Sequence, residues 1–167
     1  MASDHDDLLL ADDDPPPAPR QTPRPWLVLV VDDDPSVHTV TRLVLRDFTF
    51  LGRPIACLSA FSAWEGELVL RETPDISVVL LDVVMETDDA GLRLVRTIRE
   101  VLANLAVRII LRTGQPGLAT EEQVAAKYDI NEYRSKTDMS FDRLQRCLTS
   151  ALGSYPGGGG SPESAAA

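Results

Sequence analysis

Two stretches of this chain are apolar almost throughout, broken only by Ser77. WLVLVV fills residues 26–31 and ISVVLL fills residues 76–81, and each runs directly into aspartate. A strand with one wet face alternates polar and apolar residues, whereas a run without alternation needs cover on both faces. That requirement points to a parallel sheet whose own connections supply the cover. The intervening segments fit this role. Asp34-Pro35 reads as an N-cap followed by proline at the first helical position. Val37, Val40, Thr41, Val44, Leu45 and Phe48 then recur at helical spacing, and Gly52 closes the segment. RPIACLS (53–59) reads as a second strand. Ser62-Ala63-Trp64-Glu65 is a capping box for a helix reaching Glu72, which Thr73-Pro74 stops. DISVVLLD (75–82) is the third strand. Leu92, Val95, Ile98 and Leu102 mark a third helix, and VRIILRT (107–113) a fourth strand. Thr120-Glu121-Glu122-Gln123 caps a short helix ending near Lys127, and NEYRSK (131–136) is a fifth strand. Ser140 caps a last helix carrying Leu144, Leu148 and Leu152. Five such units predict an α/β fold: a doubly wound, five-stranded parallel sheet with helices on both faces.

In that architecture ligands bind at the carboxyl ends of strands, near the point where strand order reverses. Asp32 and Asp33 end the first strand and Asp82 ends the third. Three adjacent aspartates alone describe a surface turn more often than a metal site. The second aspartate-terminated strand shifts that balance, because neighbouring strands would bring the carboxylates together. Uncompensated, they would raise one another's pKa and destabilise the fold. Magnesium resolves the repulsion: it takes hard oxygen ligands and keeps waters that a phosphate can replace. The spacing therefore predicts a magnesium pocket that can accept a phosphoryl group, with Asp34 left as the helix cap. Thr113 ends the fourth strand and Lys136 the fifth, where a hydroxyl and an ammonium could both bind a phosphate carried on Asp82. Tyr133 has the opposite strand parity from Lys136, and static packing is its simplest role.

Composition narrows the classes. The net charge of -10 argues against a general basic surface for nucleic acid. Residues 1–25 hold six Asp against Arg20 and Arg24 and are rich in proline, so they read as a disordered acidic head. Residues 153–167 read as a flexible Gly/Ser/Ala-rich tail, leaving 26–152 as the folded domain. No apolar run is long enough to span a bilayer, and the acidic start is not that of a secretory signal. Cys57 and Cys147 lack any CxxC or histidine cluster and read as buried thiols of a reducing cytoplasm.

The acidic pair Asp32-Asp33, Asp82 in VVLLDVVM, Thr113, Tyr133 and Lys136 stand in one order, each after or within its own strand. This pattern resembles the receiver domain of bacterial two-component response regulators. The resemblance covers residues 26–152 and implies a flavodoxin-like sheet of strand order 2-1-3-4-5. It implies that Asp82 is the phosphoacceptor. Asp33 would ligate magnesium directly, Asp32 largely through water, and the Val84 backbone carbonyl would be the third protein ligand. Lys136 would pair with the phosphoryl group, and Thr113 and Tyr133 would form the switch pair. Their movement would reshape the face made by the fourth helix, fifth strand and fifth helix. The implied partners are a sensor histidine kinase or histidine phosphotransfer protein and a downstream protein target. A phosphorylation-dependent homodimer fits the same reading. It implies a cytoplasmic protein with no direct nucleic-acid contact, no membrane insertion, and no enzyme activity beyond self-phosphorylation and autodephosphorylation.

The chain departs from the family pattern in places. Glu86 stands where a proline usually follows the methionine of the phosphorylation loop, and that loop is about one residue longer than usual. Thr137 replaces the proline, normally cis, that follows the lysine. LRTGQPG and YDINEYRSKT resemble receivers found with cyclic-di-GMP phosphodiesterase outputs of the HD-GYP type. The chain has no HD or GYP motif, so it is expected to be a lone receiver, a fragment, or a diverged relative that lost its output, with the lone receiver favoured. Two other classes share part of this pattern. An aspartate-nucleophile phosphatase would want a second acid at position 84, where Val84 stands. An unphosphorylated receiver-like adaptor would bind a protein partner without phosphotransfer.

Overall fold

In a computed structural model of the protein, the described residues are 22–114, 121–128, 130–136 and 140–158. The strands and helices run in the order β1 (Trp26–Val31), α1 (Pro35–Leu45), β2 (Thr49–Phe50), β3 (Arg53–Ala60), α2 (Ala63–Glu72), β4 (Ile76–Asp82), α3 (Ala90–Arg96), β5 (Arg108–Thr113), α4 (Glu121–Lys127), β6 (Glu132–Ser135) and α5 (Phe141–Gly153). The sheet order is β2-β3-β1-β4-β5-β6, and every pair except β2–β3 is parallel.

Side chains of a strand point alternately to the two faces, so an unbroken apolar run feeds two cores at once. Leu29, Val31, Val79, Leu81, Ile109 and Leu111 face one layer, where they meet Leu70 of α2, Leu94 of α3 and Val124 of α4. Val28, Val30, Val78, Leu80 and Ile110 face the other, against Leu45 of α1 and Leu144 and Leu148 of α5. All seven residues of β4 are buried. The doubly wound, five-stranded parallel sheet is thus present, in the predicted order.

Several details differ from the expectations. A sixth, two-residue strand, β2, forms an antiparallel hairpin with β3. Its turn places Leu51 and Gly52 at φ 50 and 72, so Gly52 closes a hairpin rather than a helix. Phe48 accordingly lies beyond α1, which ends at Leu45. The third helix keeps its α form only to Arg96 and continues as a π turn over Thr97–Val101, where the Leu102 N–H reaches the Thr97 carbonyl at 2.9 Å. Ser140 occupies the N-cap position of α5 but makes no side-chain capping bond. Cys147 is buried, whereas Cys57 is only half-buried, and both are free thiols. Thr120, Thr137, and residues 1–21 and 159–167 lie outside the described residues, as does the expected cap at Thr120.

Candidate functional site

Register brings the aspartates together. Val31 of β1 pairs with Leu81 of β4, so the next residue on each strand is an aspartate, Asp32 beside Asp82. One ligand oxygen from each of Asp32, Asp33 and Asp82 lies within 4.8 Å of the others. Asp32 and Asp82 are buried and Asp33 is exposed, so the cluster opens to solvent on one side. Asp34 stands apart from this group. Its carboxylate accepts the Ser36 N–H at 2.8 Å and the Ser36 hydroxyl at 2.7 Å, which lowers its pKa. Asp34 is therefore the cap of α1, and its own N–H donates to Asp32 Oδ1 at 3.0 Å.

On the next strands, Asp82 pairs in register with Arg112, and Thr113 with Ser135. Lys136 follows Ser135 and crosses back to the aspartates. Its Nζ donates to Asp82 Oδ2 at 2.8 Å and lies 3.1 Å from Asp32 Oδ2. Burial pulls the Lys136 pKa down, but the bond and charge of Asp82, with Asp32 behind, more than offset it, so the ammonium is held charged. Burial pushes the Asp82 pKa up and the Asp32 charge adds to that. The Lys136 bond and the Val84 N–H oppose it without cancelling it. Thr113 is buried at the end of β5. Val84 is exposed, two residues beyond Asp82. Tyr133 lies in β6 opposite Leu111, and its side chain is outside the described residues.

The residues fit a metal ion. Asp32 Oδ2 is a buried oxygen met by the Lys136 ammonium at 3.1 Å, and the carboxylates of Asp32, Asp33 and Asp82 converge as three hard oxygen donors. The loop after Asp82 is tied down despite lacking the proline. Glu86 Oε1 accepts the Ala63 N–H at 2.7 Å, Thr87 Oγ1 donates to Asp89 Oδ1 at 2.9 Å, and the Gly91 N–H reaches the Val83 carbonyl at 2.9 Å.

The chain matches no protein-family model. Over 131 residues it is 48% identical to the 3'3'-cGAMP-specific phosphodiesterase 2 of Vibrio cholerae serotype O1, covering 78% of this chain and 25% of that protein. The chain thus spans about a quarter of the length of that curated relative. Among solved structures, a response regulator receiver protein from Pseudomonas putida superposes with TM-score 0.60 at 27% identity, covering 76% of this chain and 97% of that one. The signal receiver domain of an HD domain-containing protein from Pseudomonas fluorescens Pf-5 gives TM-score 0.62 at 23% identity, covering 78% and 96%. The chain carries a response-regulator receiver domain.

Two residues of this receiver's pocket escape a reading of the sequence. His38 is buried on α1. Its Nε2–H donates to the Asp32 carbonyl at 2.7 Å, which leaves Nδ1 to accept from the Ser59 hydroxyl at 3.0 Å. A polar residue on a helix face gives no such warning. Arg112 did leave a signal: it is a cation in an apolar strand, at the inward parity of Ile110. Its side chain is 5% exposed, and its Nη2 lies 3.9 Å from Asp32 Oδ2.

Proposed function

We propose that this receiver is a phosphorylation-dependent switch of a two-component phosphorelay. It accepts a phosphoryl group on Asp82 from a histidine kinase or histidine phosphotransfer protein. The observation that carries this reading is the convergence of Asp32, Asp33 and Asp82 under the Lys136 ammonium, 2.8 Å from Asp82 Oδ2. In the transfer, a carboxylate oxygen of Asp82 attacks the phosphorus of a phosphohistidine. The P–O bond forms as the P–N bond breaks, and the imidazole nitrogen leaves with the bonding pair. Asp32, Asp33, Asp82 and the Val84 carbonyl would hold magnesium, which when bound supplies charge neutralisation for the transferring group.

The chain's own residues do the rest. Lys136, kept protonated by the carboxylates, neutralises charge on the phosphoryl oxygens. The buried walls of β4 and β5 limit water around the acyl phosphate. Thr113 is the hydroxyl placed to follow the new dianion, and Tyr133 the aromatic that answers it. Together they would alter the α4–β6–α5 face offered to a downstream protein or a second copy. The phosphodiesterase activity in the relative's name belongs to that longer protein. For this chain we propose only the switch, acting in the cytoplasm, without turnover beyond its own phosphorylation and dephosphorylation. Among the described residues no helix is long and apolar enough to cross a membrane.

The test is incubation with magnesium and acetyl phosphate, followed by intact mass spectrometry. A labile adduct of one phosphoryl group should form on wild type, fail without magnesium, and be absent from Asp82→Asn. An adduct that persists in Asp82→Asn would overturn the assignment, as would no adduct on wild type with any small phosphodonor.

A further inference from the structure

The acidic pocket of this chain contains two cations. Lys136 belongs to the phosphoacceptor reading, but nothing in that reading uses Arg112. Arg112 pairs in register with Asp82, on the strand next to it, and its side chain shares the Asp32 face of the sheet. The guanidinium is nearly sealed from solvent. Its Nε and Nη2 have no hydrogen-bond partner, and Nη2 faces Asp32 Oδ2 across 3.9 Å. That oxygen is itself buried and also lies 3.1 Å from the Lys136 ammonium. A guanidinium held only by packing would be costly there, because an unpaired buried charge is expensive. The charge of the neighbouring carboxylates is what offsets that cost. Beside Arg112 and Lys136, between α1 and α5, lies a cavity of 480 Å³ walled by Val40, Val44 and Leu144. The side chain therefore has room to withdraw from Asp32 without breaking the sheet.

We propose that Arg112 is a built-in counter-cation of the pocket: it shares Asp32 with Lys136 in the metal-free protein, competes with the divalent cation for that carboxylate, and so sets the magnesium concentration at which the site fills. The inference rests on the metal-pocket reading above. Removing the charge leaves the three carboxylates with one cation instead of two and deepens the well for a dication. Arg112 acts through Asp32 and is a positioning residue.

The experiment is a magnesium titration of the metal-free protein, followed by isothermal calorimetry, for wild type, Arg112→Met, Arg112→Lys and Asp33→Ala. Arg112→Met should lower the half-saturating magnesium concentration by about tenfold, the order of one screened charge at contact range. Arg112→Lys, which keeps the charge, should stay close to wild type. A purely structural arginine would instead give weaker binding in both variants. Unchanged or weaker binding in Arg112→Met overturns the proposal, as does equal tightening in both, which would assign the effect to packing. If Arg112→Met does not fold, Arg112→Gln takes its place under the same criteria. If wild type and Asp33→Ala both give no magnesium heat, the metal pocket itself is wrong and this inference falls with it.

Discussion

At the scale of single residues, Gly91 has the least freedom. It opens the first turn of α3 against the end of β4. A Cβ built there would sit 2.0 Å from the Asp82 carbonyl oxygen and 2.8 Å from the Val83 Cα. Both obstacles are backbone, so neither can swing aside as a side chain would. The neighbouring bond from the Gly91 N–H to the Val83 carbonyl, at 2.9 Å, fixes the same approach. Gly91→Ala should therefore cost about 3 kcal/mol or more, the upper end for overpacking a close contact. Urea unfolding measures this. A loss below about 1 kcal/mol would show that the helix can retreat from the strand.

At the scale of elements, the loop from Val83 to Asp89 depends on α2. Glu86 lies where a proline would have stiffened the loop, and its carboxylate instead accepts the N–H of Ala63 at 2.7 Å. Ser62 caps the same helix through the Glu65 N–H at 3.1 Å, and Glu65 reaches back to the Phe61 N–H at 2.8 Å. Three donors at the start of α2 are thus satisfied, one of them by an acceptor from the loop after Asp82. Glu86→Ala should cost about 0.5–1 kcal/mol, in the range for loss of a cap, and speed amide exchange at Ala63. Unchanged exchange there would show that the strap carries no load.

The start of α2 was legible because Ser62 and Glu65 are a local pattern. The strap was not, because its partner lies twenty-three residues away and no periodicity links the two. The same distinction holds across the chain. Unbroken apolar runs announced the two-faced sheet, and the turn after each run located Asp32 and Asp82. The hairpin at Thr49–Phe50 was hidden because two residues carry no period. The π turn was hidden because Ile98 and Leu102 keep helical spacing whichever bond pattern closes the turn. The pocket's carboxylates and Lys136 were visible as strand-end residues. His38 and Arg112 were missed because their meaning depends on the strands that flank them.

At the scale of the whole molecule, the chain stores unfavourable charge at one end of its sheet. Asp82 carries the sign of that cost. Its pKa in the folded protein lies above the ordinary carboxylate value, because burial and the Asp32 charge outweigh Lys136 and the Val84 N–H. A carboxyl raised in this way favours folding fully only below its unfolded-state pKa, and that contribution is lost as pH rises through the folded-state value. Asp34 has the opposite sign: its contribution is present above its unfolded-state pKa and lost as pH falls through its lowered folded value. The difference between wild type and Asp82→Asn isolates the first effect from the second. Without divalent cation, Asp82→Asn should gain stability relative to wild type as pH rises from about 4 towards 7, since the amide cannot ionise. Magnesium should reverse the order. On the proposed reading it would bind the ionised carboxylate, so its stabilisation of wild type should grow over the same pH range, reaching about 2.7 kcal/mol at a hundredfold excess over Kd. Thermal melts of both proteins, with magnesium and with chelator, measure all four curves. If wild type and Asp82→Asn keep parallel pH profiles with chelator, Asp82 does not carry the stored charge. If magnesium shifts both proteins equally, the cation binds elsewhere.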